Sequence, residues 1–184
     1  LATGGHVLPS QNADALRRQV LGACSSALTF GGKMYGYPVS AETYALFYNK
    51  ALVKDNEVPK TWDEVAAFAK KYNAANPGKY GFIMDVGNAY YTIVFTTSDG
   101  NRLFGPTGAD TSSTNINSPK LIKGMQFFQN LRSVLNVPSA DLTTSVADSA
   151  FASGTAAMHI TGLWNVVPFR EPLKTIVFST TSLL

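Results

Sequence analysis

Aromatic side chains stand just beyond two segments that we expect to be strands, where the chain turns into a helix. Tyr90 and Tyr91 follow one such segment, and Trp164 follows the other. In open α/β sheets, ligands bind beyond the carboxyl ends of the strands. Tyr and Trp rings combine a flat apolar face with a polar edge, which suits the C–H faces and hydroxyl groups of a sugar. The pattern therefore favours a carbohydrate-binding surface.

Sugar hydroxyl groups also need hydrogen-bond partners, and three polar side chains could provide them. They are Glu42, Asn88 and Asn165. Each aromatic and polar candidate also has a purely structural interpretation. The paired tyrosines and the tryptophan could pack in the core, and Glu42 could be a solvated carboxylate.

The sequence lacks the motifs that usually carry catalysis, metal binding or nucleic-acid binding. No carboxylate falls in a recognisable catalytic pattern, and no GxSxG, GxGxxG or Walker-type loop occurs. The two histidines lack ligand spacing and the single cysteine has no partner, so we predict no metal site, disulfide or cofactor. Basic residues are scattered and the net charge is only +3, which disfavours nucleic acid. We expect no enzyme, with a carbohydrate-active enzyme as the weaker alternative.

Apolar spacing and turn residues predict alternating helices and strands, which is typical of an α/β fold. Hydrophobic residues make up 45% of the chain, enough for a core. Helices are predicted over 12–22, 61–76, 88–98, 119–135 and 145–151, and extended segments over 34–39, 44–48, 80–85 and 156–160. Thr61 and Glu64 match a capping box. Trp62 is predicted to be core, and the 119–135 helix is expected to bury a stripe that includes Met125.

The first residues suggest that the chain begins inside a longer protein. Residues 1–9 have neither the basic region nor the long apolar region of a signal peptide. No stretch approaches the ~18 apolar residues that a membrane-spanning helix requires.

Three separated motifs resemble the type 1 extracellular solute-binding proteins. They are Gly32 to Val39 continuing through Leu46 to Lys50, then Pro59 to Glu64, then Ser145 to Phe151 with Gly154 and Ala156 to Trp164. Within that family the motifs are most similar to those of maltose/maltodextrin-binding proteins. Their residues resemble the versions found in Gram-positive lactobacilli and streptococci. The resemblance implies an incomplete periplasmic-binding-protein-like lobe (type II) of α/β class. Residues 1–45 would be a remnant of the first lobe and hinge, 46–169 the second, sugar-binding lobe, and 170–184 an atypical tail.

The resemblance also implies a role and places the candidate residues. Such a receptor closes around maltose or maltodextrin and delivers it to the permease subunits of an ABC importer, outside the membrane as a lipoprotein or periplasmic protein. Tyr90 and Trp164 match stacking positions, Glu42 matches a hinge carboxylate, and Tyr91 matches a supporting aromatic. Asn88 stands where some members have a glutamate. Another oligosaccharide or a polyol remains an alternative ligand.

Two departures from the family shape our further expectations. The family chain is about twice as long, and residues 170–184 do not resemble its continuation. Thr144 also stands where some members have a ligand-contacting tyrosine. A single lobe offers half of a cleft, so we expect weak sugar affinity for this chain alone. Uncovered apolar surface is expected to cause self-association.

Overall fold

The computed structural model describes residues 1–106, 108, 110–173 and 176–179 of the chain. Its Cα positions group into two compact units, Leu1–Thr43 and Tyr44–Leu184. The boundary falls close to residue 45, but the assignment of the predicted segments to lobes stays a prediction. Part of the predicted tail, residues 174–175 and 180–184, lies outside the described residues.

The first unit consists of short elements, and Met34 is its one buried residue. Its helices are α1 (Ala13–Gln19) and α2 (Gly22–Ala27), and its strands are β1 (Thr29–Phe30) and β2 (Lys33–Met34). The two strands form an antiparallel hairpin in which Thr29 pairs with Met34. The single helix predicted over 12–22 is wrong, because extended backbone at Val20 separates two helices. The predicted extended segment over 34–39 contributes only Met34 to a strand.

The second unit is built on a three-stranded antiparallel sheet. The central strand β3 (Tyr44–Asn49) lies between β4 (Met158–Gly162) and β5 (Ile176–Ser179). In the β3–β4 pair, Tyr44 lies opposite Gly162 and Phe47 opposite His159. The predicted strand over 80–85 is buried and meets the 156–159 region through two isolated parallel bridges, at Tyr80 and Ile83. The second unit is therefore a mixed α/β arrangement.

Side-chain caps explain where four helices of the second unit begin, and its described residues form five α-helices. They are α3 (Trp62–Ala75), α4 (Ala89–Thr96), α5 (Pro119–Leu135), α6 (Thr144–Ala152) and α7 (Val166–Arg170). The Thr61 side chain caps α3 by accepting from the Glu64 N–H, as predicted, while the Glu64 carboxylate accepts from the Lys60 N–H at 2.7 Å. Ser118 caps α5, whose first residue is the predicted Pro119.

Aromatic side chains dominate the core of the second unit. Phe47, Phe82, Phe95, Phe151 and Phe169 are fully buried, and Trp62 packs with them as predicted. The predicted stripe on α5 is wrong at one position. Met125 is 37% exposed, whereas its neighbour Gly124 is buried.

Gly124 faces the core because α5 packs closely on α4. A Cβ at this position would overlap the carbonyl oxygen of Phe95. Within the described part of the chain, no helix is both long enough and apolar enough to cross a bilayer.

Candidate functional site

Two extended segments end, and a third begins, on the same side of the sheet of the second unit; this side is called the sheet edge below. Strand β4 ends at Gly162, and the parallel 80–85 segment ends at Asp85. Strand β3 runs in the opposite direction and begins there with Tyr44. The turn over residues 85–90, called the first turn below, leads into α4. The turn over residues 161–165, called the second turn, leads into α7.

The two turns bring four aromatic rings together, and we call these rings the aromatic cluster. Its members are Tyr44, Tyr90, Tyr91 and Trp164. The Tyr90 and Trp164 ring centroids are 6.1 Å apart with an angle of 36° between the ring planes. Tyr44 meets Tyr90 edge-on at 5.5 Å and Trp164 edge-on at 6.4 Å. The sequence predicted three members of this cluster and missed Tyr44.

The rings of the aromatic cluster differ in exposure to solvent. Tyr90 is 55% exposed and Trp164 is 36% exposed, whereas Tyr91 is only 7% exposed. Tyr44 is half-buried between them. We call the two exposed rings, Tyr90 and Trp164, the aromatic shelf. The rings of Tyr44 and Tyr91 each contact both rings of the shelf, and the supporting role expected for Tyr91 stays a prediction.

The Tyr44 hydroxyl fixes the shelf to the sheet edge by donating a hydrogen bond to the backbone carbonyl of Tyr90. Burial raises the pKa of the Tyr44 phenol above its ordinary value, and its interactions with Tyr90 and Tyr91 raise it further. The phenol therefore stays protonated at neutral pH and keeps this bond.

Gly162 provides the room for the Trp164 ring. A Cβ built on Gly162 would overlap the six-membered ring of the indole. The indole therefore lies directly over the backbone at the end of β4. No larger residue fits at position 162 while the ring keeps this place.

A buried carboxylate organises the first turn. Asp85 is 6% exposed, and its Oδ1 accepts from the backbone N–H groups of Gly87 and Asn88 at 2.9 and 3.1 Å. Its Oδ2 accepts from the Thr144 hydroxyl at 2.6 Å, which ties the turn to the start of α6. Asn88 then caps α4, because its Oδ1 accepts from the Tyr90 N–H at 2.9 Å.

A network of three buried side chains and the partly exposed Asp148 organises the second turn. The Asn165 amide donates to Asp148 Oδ1 at 3.0 Å and to Thr161 Oγ1 at 2.9 Å. The same Asp148 oxygen lies 2.8 Å from His159 Nε2, and His159 Nδ1 lies 2.9 Å from the carbonyl oxygen of Ile83. His159 is 2% exposed and Asn165 is 6% exposed. Sequence patterns did not predict this network.

The structure corrects one predicted site residue and reassigns another. Asn165 was expected to bond a ligand, but its side chain is buried and its amide donates to Asp148 and Thr161 inside the protein. It therefore supports the second turn. Asn88 is exposed and caps α4, so its Oδ1 is used locally. Thr144 bonds Asp85 and serves the first turn.

Glu42 belongs to the first unit rather than to the aromatic cluster. It borders a groove of about 650 Å³ in that unit, together with Leu21, Cys24, Tyr37 and Val39. The ligand-binding role expected for Glu42 stays a prediction. In the described residues, no group of three or more His, Cys, Asp or Glu side chains is placed to hold a metal ion.

Known proteins resemble this chain over most of its length. The profile of the family described as "Bacterial extracellular solute-binding protein" matches residues 4–179. The galactooligosaccharide-binding protein of Bacillus subtilis (strain 168) is 33% identical over 145 residues, which are 76% of this chain and 34% of that protein. The maltotriose-binding protein of Pyrococcus abyssi (strain GE5 / Orsay) is 31% identical over 159 residues, which are 86% of this chain and 33% of that protein.

A solved structure also resembles this chain over most of its length. The crystal structure of a cyclo/maltodextrin-binding protein complexed with maltotetraose matches with a TM-score of 0.82 at 30% identity. The match covers 97% of this chain and 46% of that one. The chain thus spans about a third of the length of the curated relatives named above.

Proposed function

This chain belongs to the family of bacterial extracellular solute-binding proteins, and we propose that it presents a carbohydrate-binding surface for maltooligosaccharides. The predicted family resemblance and the predicted periplasmic-binding-protein-like α/β fold are confirmed. The observation that carries the proposal is the aromatic shelf, in which the exposed rings of Tyr90 and Trp164 lie 6.1 Å apart at one sheet edge.

The physical basis of the proposal is stacking on a fixed apolar surface. The C–H face of a glucose unit buries apolar area against an aromatic ring, while its hydroxyl groups remain at the ring's polar edge. The rings of the shelf are already held by Tyr44, Tyr91 and Gly162, so little side-chain entropy is lost on binding. This arrangement supports affinity for a pyranose rather than for an ion.

A second ligand class has its own support. The Bacillus subtilis relative, at 33% identity, is named for galactooligosaccharide binding. A galactosyl unit also presents an apolar C–H face, so the shelf suits either sugar. A polyol has no such continuous face, and we place it behind both.

We propose that the chain binds its sugar without converting it. Glycoside hydrolysis uses two carboxyl groups that flank the scissile bond. The Asp85 carboxylate accepts three hydrogen bonds from within the protein, and Asp148 accepts from Asn165 and contacts His159. Incubation with maltodextrins should therefore release no new reducing ends. Appearance of reducing ends would favour the carbohydrate-active enzyme instead.

The proposed setting is the outer side of the cytoplasmic membrane, as the receptor component of an ABC sugar importer. The family is an extracellular one. A relative from Streptococcus pneumoniae, 28% identical over 146 residues, is named as a solute-binding lipoprotein of a maltooligosaccharide ABC transporter. By this proposal, the permease subunits of such an importer are the protein partners.

A titration of the full chain tests the proposal. Maltotriose, maltotetraose and a galactooligosaccharide are titrated while the indole N–H signal of Trp164 is followed by NMR, with the buried Trp62 as internal reference. We expect affinity weaker than micromolar, because one shelf supplies part of a cleft. Trp164→Ala, which lacks the indole signal and is measured by isothermal titration instead, should weaken binding about 30-fold, in line with removal of an aromatic hot spot.

The matched control is Phe30→Ala. Phe30 is as exposed as Tyr90, at 55% each, but it lies in β1 and does not line the groove beside Glu42. Tyr90→Ala should reduce affinity and Phe30→Ala should not. Equal losses for the two variants would contradict the shelf, and isothermal titration giving micromolar or tighter binding would contradict the partial-cleft argument.

We also propose that the chain self-associates through apolar surface of its first unit. Leu8 and Val39 are 86% and 99% exposed, and the groove beside Val39 is lined largely by apolar residues. Light scattering should give an average mass above 19.7 kDa that rises with concentration. A constant mass of 19.7 kDa would contradict this proposal.

A further inference from the structure

A partly enclosed pocket of about 320 Å³ lies where α5 meets the first turn, and we call it the α5 pocket. Its lining residues are Val86, Phe128, Arg132 and Leu135. None of them belongs to the aromatic shelf. The volume falls within the range of small-molecule sites, whose walls are mostly apolar and whose few polar groups fix the ligand.

Helical spacing explains why three of these residues line one pocket. Phe128, Arg132 and Leu135 follow one another at intervals of four and three positions in α5, so their side chains share one face of the helix. Val86 of the first turn completes the lining. The α5 pocket is therefore built from a regular helix and from a turn that the Asp85 carboxylate already organises.

The apolar part of the lining is held in place by the core. Leu135 is 1% exposed. The half-buried Phe128 ring packs against the buried Phe95 ring with the centroids 5.0 Å apart, and Phe128 also borders the pocket. An aromatic ring fixed in this way offers a flat apolar surface on which another ring can pack.

Arg132 is the charged residue of the lining. Of the residues that the structure describes, none forms an ion pair or a hydrogen bond with its guanidinium. A guanidinium can bind a carboxylate through two parallel hydrogen bonds. Arg132 lies in the last turn of α5, where the negative end of the helix macrodipole disfavours an anion. An anion in this pocket therefore depends on the arginine.

We propose that the α5 pocket binds a small aromatic carboxylate, whose ring packs on Phe128 and whose carboxylate pairs with Arg132. The apolar lining selects the ring, and the guanidinium selects the charge. An uncharged aromatic molecule, or a carboxylate without an apolar body, satisfies one of these two requirements only. The site is independent of the proposed sugar-binding function.

Benzoate is the probe, and the methyl signals of Val86 and Leu135 in the ¹³C-labelled full chain report its binding by NMR. The signals are assigned by their absence in Val86→Ala and Leu135→Met. We expect both signals to shift in a saturable way with benzoate. Benzyl alcohol keeps the ring without the charge, and acetate keeps the charge without the ring. Each should bind at least about tenfold more weakly than benzoate, the effect of losing one favourable interaction of this kind.

Arg132→Gln removes the charge from the pocket, and Lys123→Gln is its matched control. Lys123 is exposed on the same helix and does not line the pocket, so each variant removes one positive charge from α5. Arg132→Gln should weaken benzoate binding at least about tenfold, and Lys123→Gln should leave it unchanged. Arg132→Lys keeps the charge near the helix end but lacks the two parallel donors. It should therefore keep the stability of the original chain and bind benzoate with intermediate affinity.

Three results would overturn the proposal. The first is that benzoate leaves the Val86 and Leu135 signals of the original chain unmoved. The second is that benzyl alcohol binds as tightly as benzoate, which would leave Arg132 with a role at the helix end alone. The third is that Arg132→Gln binds benzoate as tightly as the original chain, and Arg132→Lys answers the same question if Arg132→Gln does not fold. A failure of maltotriose to bind would contradict the proposed sugar-binding function and leave this result unaffected.

Discussion

The two turns of the aromatic shelf hold their rings by different means. In the first turn, the Asp85 carboxylate accepts from backbone N–H groups, and the Tyr90 ring itself extends into solvent with 55% exposure. In the second turn, the Trp164 ring lies directly over Gly162, and the Asn165 side chain bonds Thr161 before the ring and Asp148 of α6.

This difference shows where each ring is vulnerable. The first turn depends on hydrogen bonds to the main chain, so changes there should alter the start of α4 and reach Tyr90 through the backbone. The second turn depends on close packing and on side chains from β4 and α6. Changes there should displace the indole directly. Both turns are attached to α6, through Thr144 in the first and Asp148 in the second.

The largest expected effect comes from filling the space under the indole. In Gly162→Ala, the new Cβ would overlap the Trp164 ring, so the ring must leave its place. Overpacking of this kind costs about 3 kcal/mol of stability at its upper range. We expect maltotriose affinity to fall by as much as in Trp164→Ala, as measured by isothermal titration of both variants.

The corresponding change in the first turn is the control. A Cβ on Gly87 would lie 3.7 Å from Asp85 Oδ1, an ordinary contact. Gly87→Ala should therefore change stability by less than about 0.5 kcal/mol. Similar effects for the two alanines would mean that the turns do not differ in packing as described.

Removal of the Asp85 carboxylate should have the next largest effect. Asp85→Ala leaves two backbone N–H groups and the Thr144 hydroxyl without their acceptor, and we expect a loss of about 2 kcal/mol in the free energy of unfolding. Urea denaturation measures it. Thr144→Val, which removes one of the three bonds and keeps the side-chain shape, should cost about half as much. If Thr144→Val lost more unfolding free energy than Asp85→Ala, the first turn would be held mainly by α6 and not by the Asp85 carboxylate.

Local sequence signals predicted the parts of the site that depend on neighbouring residues. The cap at Thr61 and the start of α5 at Pro119 are confirmed, because each involves residues within three positions of one another. The rings of Tyr90, Tyr91 and Trp164 were found for the same reason, since each follows an apolar segment directly. The predicted sugar-binding role of these residues stays a prediction.

Features that depend on distant residues could not be predicted in this way. Tyr44 joins the aromatic cluster only because the antiparallel register places it opposite Gly162, 118 positions later. The bond between His159 and Ile83 spans 76 positions. Met125 was misplaced because hydrophobic spacing cannot show that α5 approaches α4 closely enough to require a glycine next to it.

The smallest expected loss of stability comes from changing the cap of α4. This change should affect the first turn and leave the second turn unchanged. In Asn88→Ala, the Tyr90 N–H loses its acceptor, which typically costs about 1 kcal/mol of stability, whereas Asn88→Ser keeps a capping oxygen and should cost a few tenths. Urea denaturation of the two variants gives this difference. The Trp164 indole signal should stay where it is in both, because the second turn has its own anchors in Asp148 and Thr161. A shift of that signal in Asn88→Ala alone would mean that the two halves of the shelf are coupled through Tyr90, and the contrast between the turns would then be wrong.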